Sequence, residues 1–421
     1  MVSASTKATV PRGFKRLLGA QFLSSLGDHA ALIVAIAMLE ARSAPAWTTP
    51  LLKFVFIASY VVFAFVVGAI ADRWPKARVM TVTNALKAAG CALMLADVHP
   101  LLAYALIGFG AAAYSPAKVG LMLELLPAER LVFANAWLEG VTIASVILGT
   151  VLGGALVSAE FARWVAASAA LTSPALHAAV IAVIATYGAA AVVNIVLPGP
   201  RVVSTASPSL VAPADLVREF ARAFMVLLRD PPARVALAVT TLLWGVSAVF
   251  QFVVIDYGRL ALDLALDRAS MLQGVVAIGV TMGAVLASRA IALDRALTVL
   301  PLGLAFGPLV IALLPVQSLV LAALMMTTVG LTAGFFIVPM NALLQQRGHQ
   351  FANAGQSIAV QNFCENLSVM VMLAVYALLR ASVTFETVVI VFGVWTLGAM
   401  AAILGFDHRS RGRQATVPFF H

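Results

Sequence analysis

Apolar residues in this chain run in stretches far longer than one buried face of a soluble helix needs, and the polar residues gather between them. The runs fall at 17–40, 49–71, 79–97, 100–122, 133–157 and 174–197, and again at 234–257, 270–292, 296–316, 318–345, 352–379 and 383–406. A helix needs ~20 such residues to cross a hydrocarbon core ~30 Å thick. The pattern therefore predicts an all-α membrane protein with twelve transmembrane helices in two six-helix bundles. It divides the chain into a first bundle at 1–197, a linker at 198–233, and a second bundle with a basic tail at 234–421.

The linker opens on Pro198, Gly199 and Pro200, which cannot belong to an apolar span. From Asp215 to Asp230 it turns amphipathic, setting Leu216, Phe220, Phe224, Leu227 and Leu228 against Arg218, Glu219, Arg222 and Arg229. This is either a helix on the inner membrane surface or a solvated connection. A short internal repeat supports the two halves: Phe133-Ala134-Asn135-Ala136 opens the fifth span and Phe351-Ala352-Asn353-Ala354 the eleventh.

Composition agrees with this picture: of 421 residues, 62% are hydrophobic and 11% charged, and the mean hydropathy is +1.00. Such a chain lies outside the soluble globular range. Its net charge of +9 needs no nucleic-acid partner, because the bases cluster in alternate short loops. One set holds Arg73, Lys76 and Arg78, Arg130, Arg201 to Arg234, Arg289 and Arg295, Arg347, and Arg409, Arg411 and Arg413. The opposite loops hold Arg42, Lys53, Arg163, Arg259, Arg268 and Arg380. This bias predicts both termini in the cytoplasm. Lys7, Arg12, Lys15 and Arg16 precede a first span that is too long for a cleaved signal, so that span is expected to stay as a helix. Cys91 and Cys364 both lie in apolar runs and read as packing groups.

The candidate chemistry lies inside the spans. Asp28 is about 18 Å past the basic pair Lys15 and Arg16 on a helix, near the bilayer midplane, with His29 beside it. Lys87, Glu139, Gln251, Gln361 and Glu365 are further polar groups within spans. Ionisable groups at such depth face a bundle interior or a wet cavity and are functional candidates. Structural roles compete with that reading. Lys87 and Glu139 suit a buried ion pair, and Lys118 suits a side chain snorkelling to the interface. Tyr114, Ser115 and Pro116 suit a bend. Asn341, Gln345, Gln361 and Asn362 suit hydrogen bonds between helices, and Gly149 with Gly153 suits close packing. The sequence has no phosphate-cradling lysine loop, no His-Glu-x-x-His and no Gly-x-Ser-x-Gly, so neither an enzyme nor a cofactor is expected. The coupling ion, if any, stays open.

The loop after the second span reads Gly68-Ala69-Ile70-Ala71-Asp72-Arg73-Trp74-Pro75-Lys76-Ala77-Arg78. It resembles the signature loop of the major facilitator superfamily, although Pro75 stands where a glycine is usual and Ala77 interrupts the basic pair. Gly68, Asp72, Arg73, Lys76 and Arg78 are the gating candidates, with Asp72 able to pair with bases and cap a helix N-terminus. A fainter counterpart runs from Gly283 to Arg289 and Arg295.

Four more stretches are similar to the bacterial lysophospholipid transporter family of that superfamily. They are Gln21-Phe22-Leu23-Ser24 with Gly27-Asp28; Ala113 to Lys118; Val338-Pro339 with Asn341 to Gln345; and Val360-Gln361-Asn362 with Glu365-Asn366. The resemblance implies the major facilitator fold in a bacterial inner membrane. It also implies a flippase that returns lysophospholipids, chiefly lysophosphatidylethanolamine, to the inner leaflet, where a cytoplasmic acyltransferase would act on the product. His29 departs from an expected asparagine and Gln251 from an expected arginine.

A zwitterionic headgroup needs acids and a base or amides in one cavity. Asp28, Glu139 and Glu365 are assigned to the ammonium, Lys87 and Gln251 to the phosphate, with His29 and Gln361 beside them. Phe250 to Val254 would line an apolar groove for the acyl chain. The alternative is a proton-coupled efflux carrier for amphipathic compounds, since desolvation makes a carboxyl a usable proton site. A membrane enzyme or noncatalytic receptor of the same fold is the remaining reading. Asp28→Asn is expected to cut transport and leave folding intact.

Overall fold

The computed structural model describes residues 11–45, 48–167, 175–197, 212–264 and 266–415. Lys7, the Pro198 to Arg201 stretch and residues 416–421 lie outside them. The first half contains α1 (Arg12–Ala41), α2 (Thr48–Val62), α3 (Ala64–Arg73), α4 (Lys76–Leu95), α5 (Pro100–Leu125), α6 (Leu131–Leu156), α7 (Ala159–Ala167) and α8 (Ala175–Ile195). Next come the connecting helix α9 (Pro213–Arg229) and then α10 (Pro231–Leu260) and α11 (Leu266–Ala290). A 3-10 stretch (Leu293–Ala305) leads into α12 (Phe306–Ile311), and α13 (Leu319–Phe351), α14 (Ala354–Ser382) and α15 (Phe385–Ala415) complete the fold.

Ten of the described helical segments are long and apolar enough to cross a membrane. The pair α2 and α3, bent by 61° at Phe63, makes an eleventh. α4, the remaining candidate for a twelfth, falls short of that measure because Arg78, Asn84 and Lys87 lower its hydropathy. It packs between α5 and α8, where Asn84 and Lys87 are buried against protein, while Arg78 near its start is exposed. Several helices start where the chain cannot donate: Pro100, Pro213 and Pro231 open α5, α9 and α10. The Asp230 carboxylate then accepts from the Ala233 amide at 3.1 Å.

α1 packs on α6 and α8, and α4 on α5 and α8, closing the first bundle. In the second, α10 touches α11, α13, α14 and α15, and α11 lies along α13. The α11–α13 contact is backbone to backbone. A Cβ added at Gly279, Gly283, Gly330 or Gly334 would meet the carbonyl of Thr327, Leu331, Val276 or Val280 on the other helix. The bundles meet where α2 and α3 touch α14 and where α6 touches α11 and α13.

Three expectations change in detail. The amphipathic stretch is α9, and its apolar face packs on protein: Ala223 and Leu227 are buried, and Phe220 meets Phe363 of α14 edge-on at 5.6 Å. The repeated tetrapeptides differ in helical register, because Asn135 lies one turn inside α6 whereas Asn353 immediately precedes α14. In the Phe250 to Val254 stretch, Phe250, Val253 and Val254 are buried in the second bundle, with Phe250 against Phe306 at 6.1 Å. They cannot line a groove open to lipid; only Gln251 and Phe252 of that stretch are exposed. The short helix α7, with Phe161 stacked on Trp164 at 5.8 Å, has no counterpart among the sequence expectations.

Candidate functional site

The end of the bundles carrying α9 is termed the linker side, and the opposite end the far side. In the first bundle, Lys87 of α4 is 1% exposed in its side chain and is held by Asp28 of α1. Its ammonium donates to Asp28 Oδ2 at 2.9 Å and to Ser24 Oγ at 3.0 Å. Ser24 in turn donates to Asn84 Oδ1 at 2.7 Å. Tyr187 of α8 donates its hydroxyl to Asp28 Oδ1 at 2.9 Å. The rings of Tyr114 and Tyr187 lie 5.1 and 5.6 Å from the Lys87 ammonium, on the cation-attracting scale. A charge this deep persists only when paired and hydrogen-bonded, and here both members are. The network leaves two polar groups without partners, Asn84 Nδ2 and the Tyr114 hydroxyl.

In the second bundle, Glu365 of α14 is 7% exposed and accepts from Gln361 Nε2 at 2.8 Å. Gln361 also donates to Asn341 of α13 at 3.0 Å, and Thr240 of α10, whose hydroxyl donates to the Leu237 carbonyl at 3.3 Å, lies beside Glu365. No cation lies within ion-pair distance of Glu365 among the described residues. Its carboxyl is held by the Gln361 amide, with the Thr240 hydroxyl beside it.

Between these clusters sit Lys118 of α5 and Glu139 of α6, both half-buried and each in the field of the other. Neither has an ion pair within 4 Å among the described residues. Glu139 acts electrostatically on Glu365, and Asp28 and Lys87 act on Lys118. The charges thus form one chain across both bundles: a neutral buried pair, a cation with no close partner, and two acids. Ser115 of α5 accepts from Asn362 of α14 at 3.0 Å, one helical turn from Lys118 on one side and one turn from Glu365 on the other.

The linker side is closed. Asp72, at the end of α3, accepts from the backbone amides of Gly355 and Gln356 at 2.6 and 3.0 Å, capping α14 of the other bundle. Gly68 permits this approach: a Cβ there would stand 2.7 Å from Gln356 Oε1 and 2.9 Å from Ala359 Cβ. Gln356 is 2% exposed, and neither amide atom has a partner. Asn135 and Gln345 exchange hydrogen bonds across the bundles at 2.8 and 3.1 Å. Arg73 reaches Glu219 of α9 at 2.7 Å, and Arg347 lies 3.8 Å from Asp230, so α9 is tied to both halves. Lys76 lies 3.6 Å from Glu124 within the first bundle, and Arg78 sits over the Trp74 ring at 5.5 Å.

Of the sequence candidates, Asp28, Lys87, Glu139, Gln361 and Glu365 fall into this central chain of polar groups. Lys87 pairs with Asp28, not Glu139, because α4 lies between α5 and α8, where α1 also packs. His29 turns toward α6, where its Cβ fills the space left by Gly149, and its Nδ1 lies 2.9 Å from the Ser25 carbonyl. It has no bond to the Asp28 network. Gln251 is exposed and contributes only its backbone carbonyl, to Gln273 at 3.4 Å. The sequence reading gave Lys118 an interfacial role and left Tyr104 and Tyr187 out altogether. Those tyrosines are ordinary residues in apolar runs, and their common target, Asp28, emerges only when the helices pack; Tyr104 donates to its carbonyl at 3.4 Å.

Comparison with known proteins gives a consistent family. The model of the Major Facilitator Superfamily matches residues 17–373. A curated relative from Salmonella arizonae, named lysophospholipid transporter LplT, is 37% identical over 402 residues, covering 94% of this chain and 96% of its own. One of the same name from Yersinia enterocolitica is 38% identical over 373 residues, 88% of each chain. Among solved structures, FucP in the outward conformation superposes with a TM-score of 0.70 at 14% identity, covering 94% of this chain and 97% of that one. The human organic anion transporter MFSD10 gives 0.71 at 15%, covering 94% and 100%.

Proposed function

The chain belongs to the Major Facilitator Superfamily, and on that premise we propose that it transports lysophospholipids, lysophosphatidylethanolamine among them, by alternating access. The observation that carries this reading is near-full-length likeness to two relatives named as lysophospholipid transporters. The charges between the bundles agree with it. Lys118, with no ion pair, suits a phosphate, and Glu139 and Glu365, with no close cation, suit an ammonium. Asp28 and Lys87 hold each other and so frame the site; their contact with substrate would require the pair to loosen.

The distribution of Lys and Arg supports the linker side as the cytoplasmic side, with both termini there, and the likeness to bacterial relatives supports a bacterial inner membrane. The closed linker side and the latch by Asp72 then correspond to the state that receives substrate from the far side. Opening the latch would release the lysolipid to the cytoplasmic leaflet, where an acyltransferase would consume it and keep the gradient downhill. The test is uptake of radiolabelled lysophosphatidylethanolamine by cells lacking their own transporter, with and without this chain. Saturable uptake is expected; none, from correctly inserted protein, would sink the reading.

Glu365 favours one second reading, proton-coupled efflux of amphipathic compounds, because a buried acid without a cation is a proton site. Flux of an amphipathic cation that ignores lysolipid competitors would select that reading.

A further inference from the structure

At the far end of the second bundle, another ion pair stands apart from the central site. Asp256 is in the last turns of α10 and Arg380 in the last turn of α14. Arg380 Nε donates to Asp256 Oδ2 at 3.0 Å, and the Tyr376 hydroxyl donates to the same oxygen at 2.7 Å. The guanidinium also lies over the Phe385 ring at 5.8 Å. Tyr376 is buried, tilted against Phe252 and Phe392 at 5.9 and 6.2 Å, so the pair stands on a fixed platform.

All the bonding uses one edge of each partner. Asp256 Oδ1 and both terminal amino groups of Arg380 have no hydrogen-bond partner among the described residues, and the side chains are 27% and 31% exposed. A pair consumed by its own salt bridge uses the fork of the guanidinium, with two N–H groups on two carboxylate oxygens. This one leaves a cationic edge and an anionic oxygen side by side, near the far-side ends of α10 and α14.

We propose that the Asp256–Arg380 pair is a docking station for a zwitterionic lysolipid headgroup at the far-side mouth. The Arg380 amino groups would take the phosphate, and Asp256 Oδ1 the ammonium. The pair is neutral, so it offers little to an anion alone; it complements a headgroup that carries both charges. This rests on the proposed lysolipid transport and sharpens it, since it would give zwitterionic headgroups an advantage at the point of entry.

The experiment compares lysophosphatidylethanolamine with lysophosphatidylglycerol, which has the phosphate but no ammonium, on wild type, Asp256→Asn and Arg380→Gln. Uptake is measured in cells and equilibrium binding on purified protein in phosphatidylglycerol nanodiscs. Asp256→Asn keeps the acceptor for Tyr376 and is expected to raise KM for the ethanolamine lipid about three- to fivefold, with kcat unchanged and the glycerol lipid unaffected. Arg380→Gln is expected to raise KM for the ethanolamine lipid by a similar factor and to change that for the glycerol lipid much less. Equal effects of each variant on both lipids, or a fall in kcat alone, would overturn the station and leave the pair as a brace. The binding arm separates the two ideas. Headgroup-selective binding lost in Asp256→Asn supports the station even where wild type shows no flux, and unselective binding overturns it even where flux is normal.

Discussion

Lys87 and Glu365 each stand eleven residues into a helix that starts on the linker side, α4 and α14 respectively, about 16 Å deep in opposite halves of the molecule. The first half neutralises its buried charge at once: Lys87 meets Asp28 at 2.9 Å, and Ser24 and two tyrosine rings complete the surroundings. The second half leaves its acid with Gln361 and Thr240 for company and no counter-ion. A neutral pair whose charges already meet gains little from a charged ligand until it is broken. An acid held by a single side-chain amide and no cation gains a partner at little cost. The first half thus supplies a fixed wall, and the second supplies the group whose energy changes most when a cation arrives.

The widest effect is expected from Lys87→Met, which strands the Asp28 carboxylate in a buried site at a cost of about 3–5 kcal/mol. The melting temperature of purified protein should fall sharply, and Asp28→Asn in the same chain should restore much of it. An unchanged melting temperature in the single variant would abolish the contrast between the halves. Next comes Glu365→Gln, which keeps the hydrogen bond from Gln361 and strands nothing. Flux of lysophosphatidylethanolamine should drop at least about tenfold while stability stays within about 1 kcal/mol; a large loss of stability would make the two acids alike.

Lys118→Met is expected to raise KM for the same lipid by about tenfold, as loss of one charge-assisted contact does, with no penalty in melting temperature because no ion pair is broken. Asp72→Asn should have the smallest effect. A weakened cap on α14 is worth about 1 kcal/mol, or roughly fivefold in the balance between closed and open linker side. The readout is the labelling rate of a cysteine placed near Gln356.

The same contrast marks what the sequence could tell. Spans, the two halves and the Asp72 loop were legible because length, hydropathy and local motif carry them; the helix that Asp72 caps was not, since α14 lies in the other bundle. Depth along a helix could be counted from the sequence, which is why Asp28, Lys87 and Glu365 stood out. Rotation about the helix axis could not, so Lys87 was offered Glu139 and found Asp28. That pairing alters one expectation: Asp28→Asn strands the Lys87 cation, so a loss of transport in that variant would carry a loss of stability with it. The bend at Phe63, the 3-10 stretch from Leu293 to Ala305 and α7 also escaped, because packing sets them within runs that read as continuous apolar helix or loop.

The glycines that bring α11 and α13 backbone to backbone also bear on how the molecule can move. Long side chains between helices act like springs: they change rotamer and absorb a displacement of an ångström or so. At Gly279, Gly283, Gly330 and Gly334 no spring exists, and a slide of one helix along the other drives carbonyls into Cα atoms. The pair therefore behaves as a single stiff lever spanning the membrane. A tilt at one end must appear at the other in proportion, and the give needed for alternating access must come from joints elsewhere, such as the break at Phe63.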